Sequence, residues 1–253
     1  MILHATETGQ GPPVALLHGL FGAGANLGAV ARRLAERRRV ITLDLRNHGA
    51  SPHDSEMGYP AMAGDVLDTL DALGAGRAAL VGHSMGGKAA MTAALLRPGA
   101  VERLVVADIA PVRYPPAFRP YAEAMRAIPL DPGLTRARAD AALAEAVPDK
   151  GVRAFLLQNL RFGERPSWRI GLGHIADALP GIEGWDAPPG AAYPGPALFL
   201  SGARSDYVRP EHRPAIRVLV PRARFAGLRD AGHWLHADQP EAFAATAAAF
   251  LGG

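Results

Sequence analysis

The 253-residue chain contains no cysteine. That excludes disulfides, thiolate nucleophiles and cysteine zinc sites. Lysine is nearly as scarce: Lys88 and Lys150 are the two, and arginine supplies the remaining fixed positive charge. The net charge is +3, and the densest basic run, Arg37-Arg38-Arg39, stands just before an apolar stretch. There it reads as a solvated helix end, not as a nucleic-acid surface. No uninterrupted apolar stretch is long enough to cross a bilayer. The leading segment MILHATETGQGPP lacks a basic part followed by an apolar one, the pattern of a secretory signal. No internal repeat is evident. A soluble, cytoplasmic protein without nucleic-acid or membrane partners is the expectation; oligomeric state is left open.

What the sequence does contain is apolar and rhythmic. Hydrophobic residues make up 49% and charged residues 20%, so the chain can bury a sizeable core. Short apolar runs recur at Val14–Leu17, Val40–Leu43, Ala78–Val81, Leu104–Ala107 and Ala197–Leu200, with a weaker one at Ala223–Ala226. Runs apolar on both faces belong to a parallel sheet covered by helices. Helical patterns stand between them, at Leu27–Glu36, Pro60–Leu73 and Met85–Leu96, and again at Pro240–Leu251. This alternation predicts an α/β fold with a mostly parallel sheet. The stretch 113–194 breaks the rhythm. It carries helical patterns at Tyr121–Ile128, Arg136–Ala146 and Val152–Leu160 and no convincing buried strand. The expected organisation is a core of residues 1–112 and 195–253 with 113–194 as a helical lid insertion. Phe155, Leu156, Leu160, Arg161, Phe162 and Trp168 are its candidate pocket-lining residues.

The segment LVGHSMGGKAAM, residues 80–91, follows one of these strands and opens a helix. It fits two motifs. Gly82 to Lys88 spells G-x-x-x-x-G-K, the body of a phosphate-binding loop, but that loop needs Ser or Thr next to ligate magnesium, and the residue is Ala89. Gly82-His83-Ser84-Met85-Gly86 also fits G-x-S-x-G, the strand-to-helix elbow that holds a serine nucleophile. Small residues two before and two after the serine permit the tight turn, and the helix N-terminus faces the centre where negative charge develops. The second motif accounts for more of the letters, with Ser84 as nucleophile.

Its partners can be sought in order. Acyl transfer needs two backbone N–H groups for the tetrahedral oxyanion. One comes from the residue after the serine, Met85. The other comes from a His-Gly loop earlier in the sheet, His18-Gly19-Leu20-Phe21-Gly22, with Leu20 the donor. The base should follow the serine and the acid in the chain. His233, in Asp230-Ala231-Gly232-His233-Trp234, fits that order, with His236 the alternative; His83 adjoins the serine but should point away from it. The acid is open on these grounds. Its usual loop is Ser201-Gly202-Ala203-Arg204-Ser205-Asp206, where Ser205 holds the expected position and Asp206 comes one residue late. Asp108, ending the strand after the nucleophile strand, is the other candidate. The Asn47-His48-Gly49 turn is either structural or a substrate contact.

Taken together, HGLFGAGANLG, DLRNHGASP, YPAMAGDVLDTLDALG, GHSMGGKAAM, VADIAPVRY and AGHWLHADQP resemble the α/β-hydrolase superfamily, and within it the YbfF-type bacterial esterases. The resemblance covers most of the chain outside the insertion. It implies Asp108 as the acid, with Ser205 assisting the histidine, and hydrolysis of small acyl esters or, in some members, acyl-CoA thioesters, without metal or cofactor. Asp206, directly after that serine, departs from the pattern and leaves a second acid in play. A nucleotide-binding loop and a slowly reacting hydrolase-fold ligand receptor are the alternatives of other classes.

Overall fold

The computed structural model describes residues 1–252. In the first part of the chain the strands are β1 (Ala5–Thr8), β2 (Pro13–Leu17), β3 (Arg39–Leu43), β4 (Ala78–His83) and β5 (Val101–Ala107), and the helices α1 (Gly28–Leu34), α2 (Tyr59–Ala72) and α3 (Met85–Leu96). The next stretch carries α4 (Arg119–Arg126), α5 (Arg136–Leu143) and α6 (Lys150–Leu156). A small hairpin of β6 (Leu160–Arg161) and β7 (Ser167–Trp168) follows, then α7 (Leu172–Glu183). The chain ends with β8 (Ala197–Gly202), α8 (Arg213–Leu219), β9 (Ala223–Leu228), α9 (Leu235–Asp238) and α10 (Pro240–Gly252).

Seven strands form one sheet in the order β1-β3-β2-β4-β5-β8-β9. Only β1 runs antiparallel, paired with β3; every other pairing is parallel. All six residues of β4 are buried, as expected of a central strand covered on both faces. Alternate residues serve opposite faces. Leu17, Leu80 and Val106 join a core with α2 and α3, whereas Leu16, Val81 and Val105 pack with Val30 and Leu34 of α1 and Phe243 and Leu251 of α10. The predicted strand runs all lie within strands of the sheet. Edge strand β1 adds a seventh that no apolar run announced, because Thr6, Glu7 and Thr8 are exposed.

Helices α4 to α7 lie in the stretch expected to be helical, and three of them overlap the predicted patterns. The fourth, α7, lies between Gly171 and Gly184 and contains Pro180, all breakers by local propensity. Its apolar face overrides them: Leu172, Ile175, Ala176, Leu179 and Ile182 are buried, a helical spacing with one side in the core. Tyr59 of α2 donates from its hydroxyl to Ile182 O at 2.6 Å, tying α7 to the sheet-covering layer.

Candidate active site

Ser84 sits where β4 meets α3 with φ 51° and ψ −117°, a left-handed backbone that a non-glycine residue adopts only when its surroundings force it. Three bonds do so: Ser84 N–H donates to Ala107 O at 2.9 Å, and Ser84 O accepts from Gly87 N–H at 2.8 Å and Lys88 N–H at 3.1 Å. The flanking glycines are required by contact. A Cβ on Gly82 would collide with Gly86 O, and one on Gly86 with the carbonyls of Leu17 and His18. The turn therefore packs directly against the end of β2 and presents the Ser84 hydroxyl beyond the sheet.

The side chains that meet there come from three strand ends. His233 Nε2 lies 3.1 Å from Ser84 Oγ, and His233 Nδ1 lies 2.8 Å from Asp108 Oδ2. Asp108 follows β5, next to β4 in the sheet, and its side chain is 0% exposed. Its backbone is also left-handed, at φ 51°, held by its N–H donating to Leu200 O at 2.9 Å. The carboxylate is anchored twice more. Oδ1 accepts from Gly202 N–H at 3.0 Å, and Oδ2 accepts a short bond from the Ser205 hydroxyl. Ser205 thus reaches the imidazole through the carboxylate, not by direct contact. Asp206 is exposed and shares no hydrogen bond or ion pair with His233; its backbone carbonyl accepts from Arg209 Nε at 3.1 Å. The Tyr207 ring stacks on the His233 ring with centroids 3.9 Å apart.

His83 points away from the serine, as neighbours on an elbow must. Its Nε2–H donates to His233 O at 2.8 Å and so pins the loop that carries the candidate base. Its ring also lies edge-on to His236, 4.6 Å between centroids. Burial, then the neighbouring His236 and His233, pushes the His83 pKa well below the ordinary histidine range, so it remains a neutral donor. Neither His83 nor Tyr207 was legible as a site residue; both act through loop geometry that sequence order does not carry.

The His-Gly loop approaches Ser84 from the end of β2, with Gly19 against the Ser84 side chain. Gly22 N–H donates to Gly19 O at 2.9 Å and Phe21 N–H to His48 Nε2 at 3.1 Å. Those two groups are committed, while Leu20 N–H and Met85 N–H, at the first position of α3, have no protein acceptor among the described residues. His48 is therefore a support of this loop. Its Nδ1–H donates to Arg46 O at 2.9 Å, and burial, reinforced by His18, lowers its pKa to about 3, which keeps Nε2 free to accept. His18 is arranged alike, accepting Leu45 N–H at 2.9 Å, with its pKa lowered by burial. Asn47 closes its own turn with Asp54, at 2.8 and 3.0 Å.

Two cavities open from Ser84. The smaller, about 50 Å³, is lined by His233, Trp234 and His236 from the core and by Phe118, Phe155 and Leu156 from the 113–194 stretch. The larger, about 270 Å³, is lined by Leu20, Met85 and Lys88 on the core side and by Tyr114, Phe118 and Ile182 opposite. Of the residues anticipated to line a pocket, Phe155 and Leu156 do so beside Ser84. Leu160 is in the core, Phe162 is exposed, Trp168 packs against the core, and Arg161 borders an outer hollow away from the serine. Lys88 does not face an open phosphate loop; its Nζ donates to Gly184 O at 2.7 Å. Among the described residues no helix is long and apolar enough to cross a membrane.

The chain matches the alpha/beta hydrolase fold family over residues 12–240. It is 43% identical over 249 residues to a mouse protein named sn-1-specific diacylglycerol lipase ABHD11, covering 95% of this chain and 81% of that one. It is 42% identical over 233 residues to Esterase YbfF of Escherichia coli, covering 91% and 89%. A solved structure described as a marine microorganism esterase superposes with a TM-score of 0.93 at 33% identity, over 98% of this chain and 99% of the other. A parallel sheet with a strained serine elbow between β4 and α3, matched along nine-tenths of its length by these relatives, identifies the chain as a member of the α/β-hydrolase fold family.

Proposed function

We propose that this protein is a serine carboxylic ester hydrolase in which Ser84, His233 and Asp108 form the catalytic triad. The observation that carries the reading is the unbroken line from Ser84 Oγ through His233 to the buried Asp108 carboxylate, at 3.1 and 2.8 Å. Ser84 Oγ attacks the acyl carbonyl carbon while its proton passes to His233 Nε2. The carbonyl oxygen becomes an oxyanion held by the N–H groups of Leu20 and Met85. Collapse breaks the bond to the alcohol oxygen, which takes the proton from His233, and leaves an acyl-serine. Water then attacks that ester, gives its proton to His233, and releases the acid with Ser84 restored. Ser205 and Tyr207 position the acid and the base.

The two cavities have distinct roles under this mechanism. The leaving oxygen must be protonated by His233, so the alcohol arm lies in the smaller cavity, the one that His233 lines. The acyl arm then lies in the larger one, beside Met85. Residues 113–194 serve as the lid, since Phe118, Tyr121 and Phe155 close these spaces over the serine. An acyl cavity of about 270 Å³ favours short to medium chains. The test is a series of p-nitrophenyl esters from acetyl to palmitoyl, with acyl-CoAs of matching length to separate ester from thioester preference. Ser84→Ala should abolish turnover, by on the order of 10⁶, and remove labelling by a fluorophosphonate probe while the fold persists. Retained labelling overturns the assignment, and equal rates across the series overturn the chain-length preference.

A further inference from the structure

The larger cavity contains a buried lysine that makes no ion pair among the described residues, although Glu183 and Asp206 line the same cavity. Lys88 is 1% exposed and stands four residues after Ser84 on α3, one helical turn or about 6 Å along the axis. Its Nζ donates to Gly184 O at 2.7 Å and more weakly to Glu183 O at 3.4 Å, at the C-terminal end of α7. It also lies over the rings of Tyr114, at 4.9 Å, and Tyr59, at 5.6 Å. No carboxylate oxygen of a described residue comes within 4.0 Å of it. The Glu183 carboxylate, on the same cavity, accepts from Ala117 N–H at 2.6 Å and Phe118 N–H at 2.9 Å and acts on Lys88 through space, without a direct bond. An ammonium has three donors; here it meets two carbonyls and two aromatic faces and no directly bonded carboxylate.

A buried, unpaired charge is costly, and an apolar side chain of similar length would fill the same space more cheaply. Desolvation lowers the Lys88 pKa to about 7; Arg113 pushes in the same direction and Glu183 opposes it. A group so placed at a reaction centre suits an anion that arrives with the substrate. We propose that Lys88 is a specificity residue of the acyl cavity and receives the distal carboxylate of a dicarboxylic half-ester. This rests on the assignment of the larger cavity to the acyl arm under the esterase reading. The substrate class is then an acyl group of a few carbons with an acidic end, attached to a small alcohol.

The experiment compares p-nitrophenyl half-esters of succinate, glutarate and adipate with the neutral butyrate, valerate and hexanoate esters of equal length. Wild type should prefer the acidic member of at least one pair by on the order of tenfold in kcat/KM, the scale of one hydrogen bond to a charged group. Lys88→Met should bring the acidic-to-neutral ratio of kcat/KM to one or below, a ratio read independently of any change in absolute rate. The titratable and charged groups around Lys88 are Tyr59, Tyr114, Glu183 and Arg113, with Asp206, Tyr207 and Arg209 on the same cavity. Since Lys88 is cationic below about 7, the preference should weaken as pH rises above that value, in a ratio from which any loss common to both esters cancels. A wild type that favours the neutral ester in every pair, or a preference unchanged in Lys88→Met, overturns the proposal. If Lys88→Met fails to fold, glutarate decides on wild type: it should raise Tm and slow fluorophosphonate labelling, and uncharged glutaramide should not. Equal effects of the two overturn it. Failure of the esterase reading has a separate signature, loss of both valerate hydrolysis and Ser84 labelling, and leaves the glutarate binding arm readable.

Discussion

Replacing Asp108 by asparagine should lower turnover several thousand-fold, and the structure gives the reason atom by atom. Oδ1 accepts from Gly202 N–H at 3.0 Å, whereas Oδ2 accepts from the Ser205 hydroxyl and faces His233 Nδ1 at 2.8 Å. An amide has one acceptor oxygen and one donor nitrogen, so it cannot serve both sides. With its oxygen toward Gly202, its NH₂ meets His233 Nδ1, which must then accept. The imidazole proton moves to Nε2, facing Ser84 Oγ, and the base can no longer take the serine proton. With the amide reversed, the productive tautomer returns, but two donors oppose each other at a fully buried position. Each unsatisfied buried donor costs about 1–3 kcal/mol, so this orientation is about 2–6 kcal/mol worse. The productive form is then roughly 3 × 10⁻² to 4 × 10⁻⁵ of the molecules, and the lost carboxylate charge weakens imidazolium further. The expected loss is about 10⁴. Asp206→Asn should cost less than about tenfold, because that side chain is exposed and touches neither the histidine nor the serine. Ser205→Ala should fall between, at about tenfold to a hundredfold, since it deletes one hydrogen bond to a charged group and leaves the carboxylate in place. The assay is kcat on one activated ester for the three variants, with circular dichroism to verify folding. A dead Asp206→Asn beside a mild Asp108→Asn would refute the reasoning.

The strained elbow makes a stability prediction. At φ 51° Ser84 sits where only glycine is unstrained, so Ser84→Gly should be more stable than Ser84→Ala, by about 1 kcal/mol in urea unfolding, with neither expected to turn over ester; the reverse order would show that the turn is not strained. The buried histidines make a pH prediction. Burial lowers His48 to about 3 and His236 to about 4, and lowers His18 and His83 as well, against 6.5 for an ordinary histidine. The unfolded chain therefore binds protons first as pH falls below about 6.5, so the stability these groups contribute is complete above that value and is lost toward 4. The urea midpoint should drop between pH 7.5 and pH 5, where most carboxylates are still ionised; an unchanged midpoint would contradict the neutral histidine cluster.

The sequence by itself determined the layered fold and the strained serine turn. Doubly buried strands must be apolar throughout, so β2 to β5 and β8 show as runs. The elbow must carry glycine at 82, where a Cβ would meet Gly86 of the same turn, and at 86, where one would meet the carbonyls at the end of β2. Strand β1 left no signal because three of its four side chains face solvent, and α7 left none because tertiary burial outweighs Pro180 and the flanking glycines. Which carboxylate stands beside the imidazole was undecidable from spacing, since Asp108 and Asp206 both follow strands on the correct side of the sheet. Only the strand order β4-β5-β8 places Asp108 between the serine turn and Gly202, and the chain does not state which strands become neighbours. The same holds for Tyr207, His83 and the unpaired ammonium of Lys88. Periodicity and glycine placement record constraints local to a few residues, whereas the facing of a charge, a ring or a hydroxyl is fixed by elements that meet only when the chain has folded.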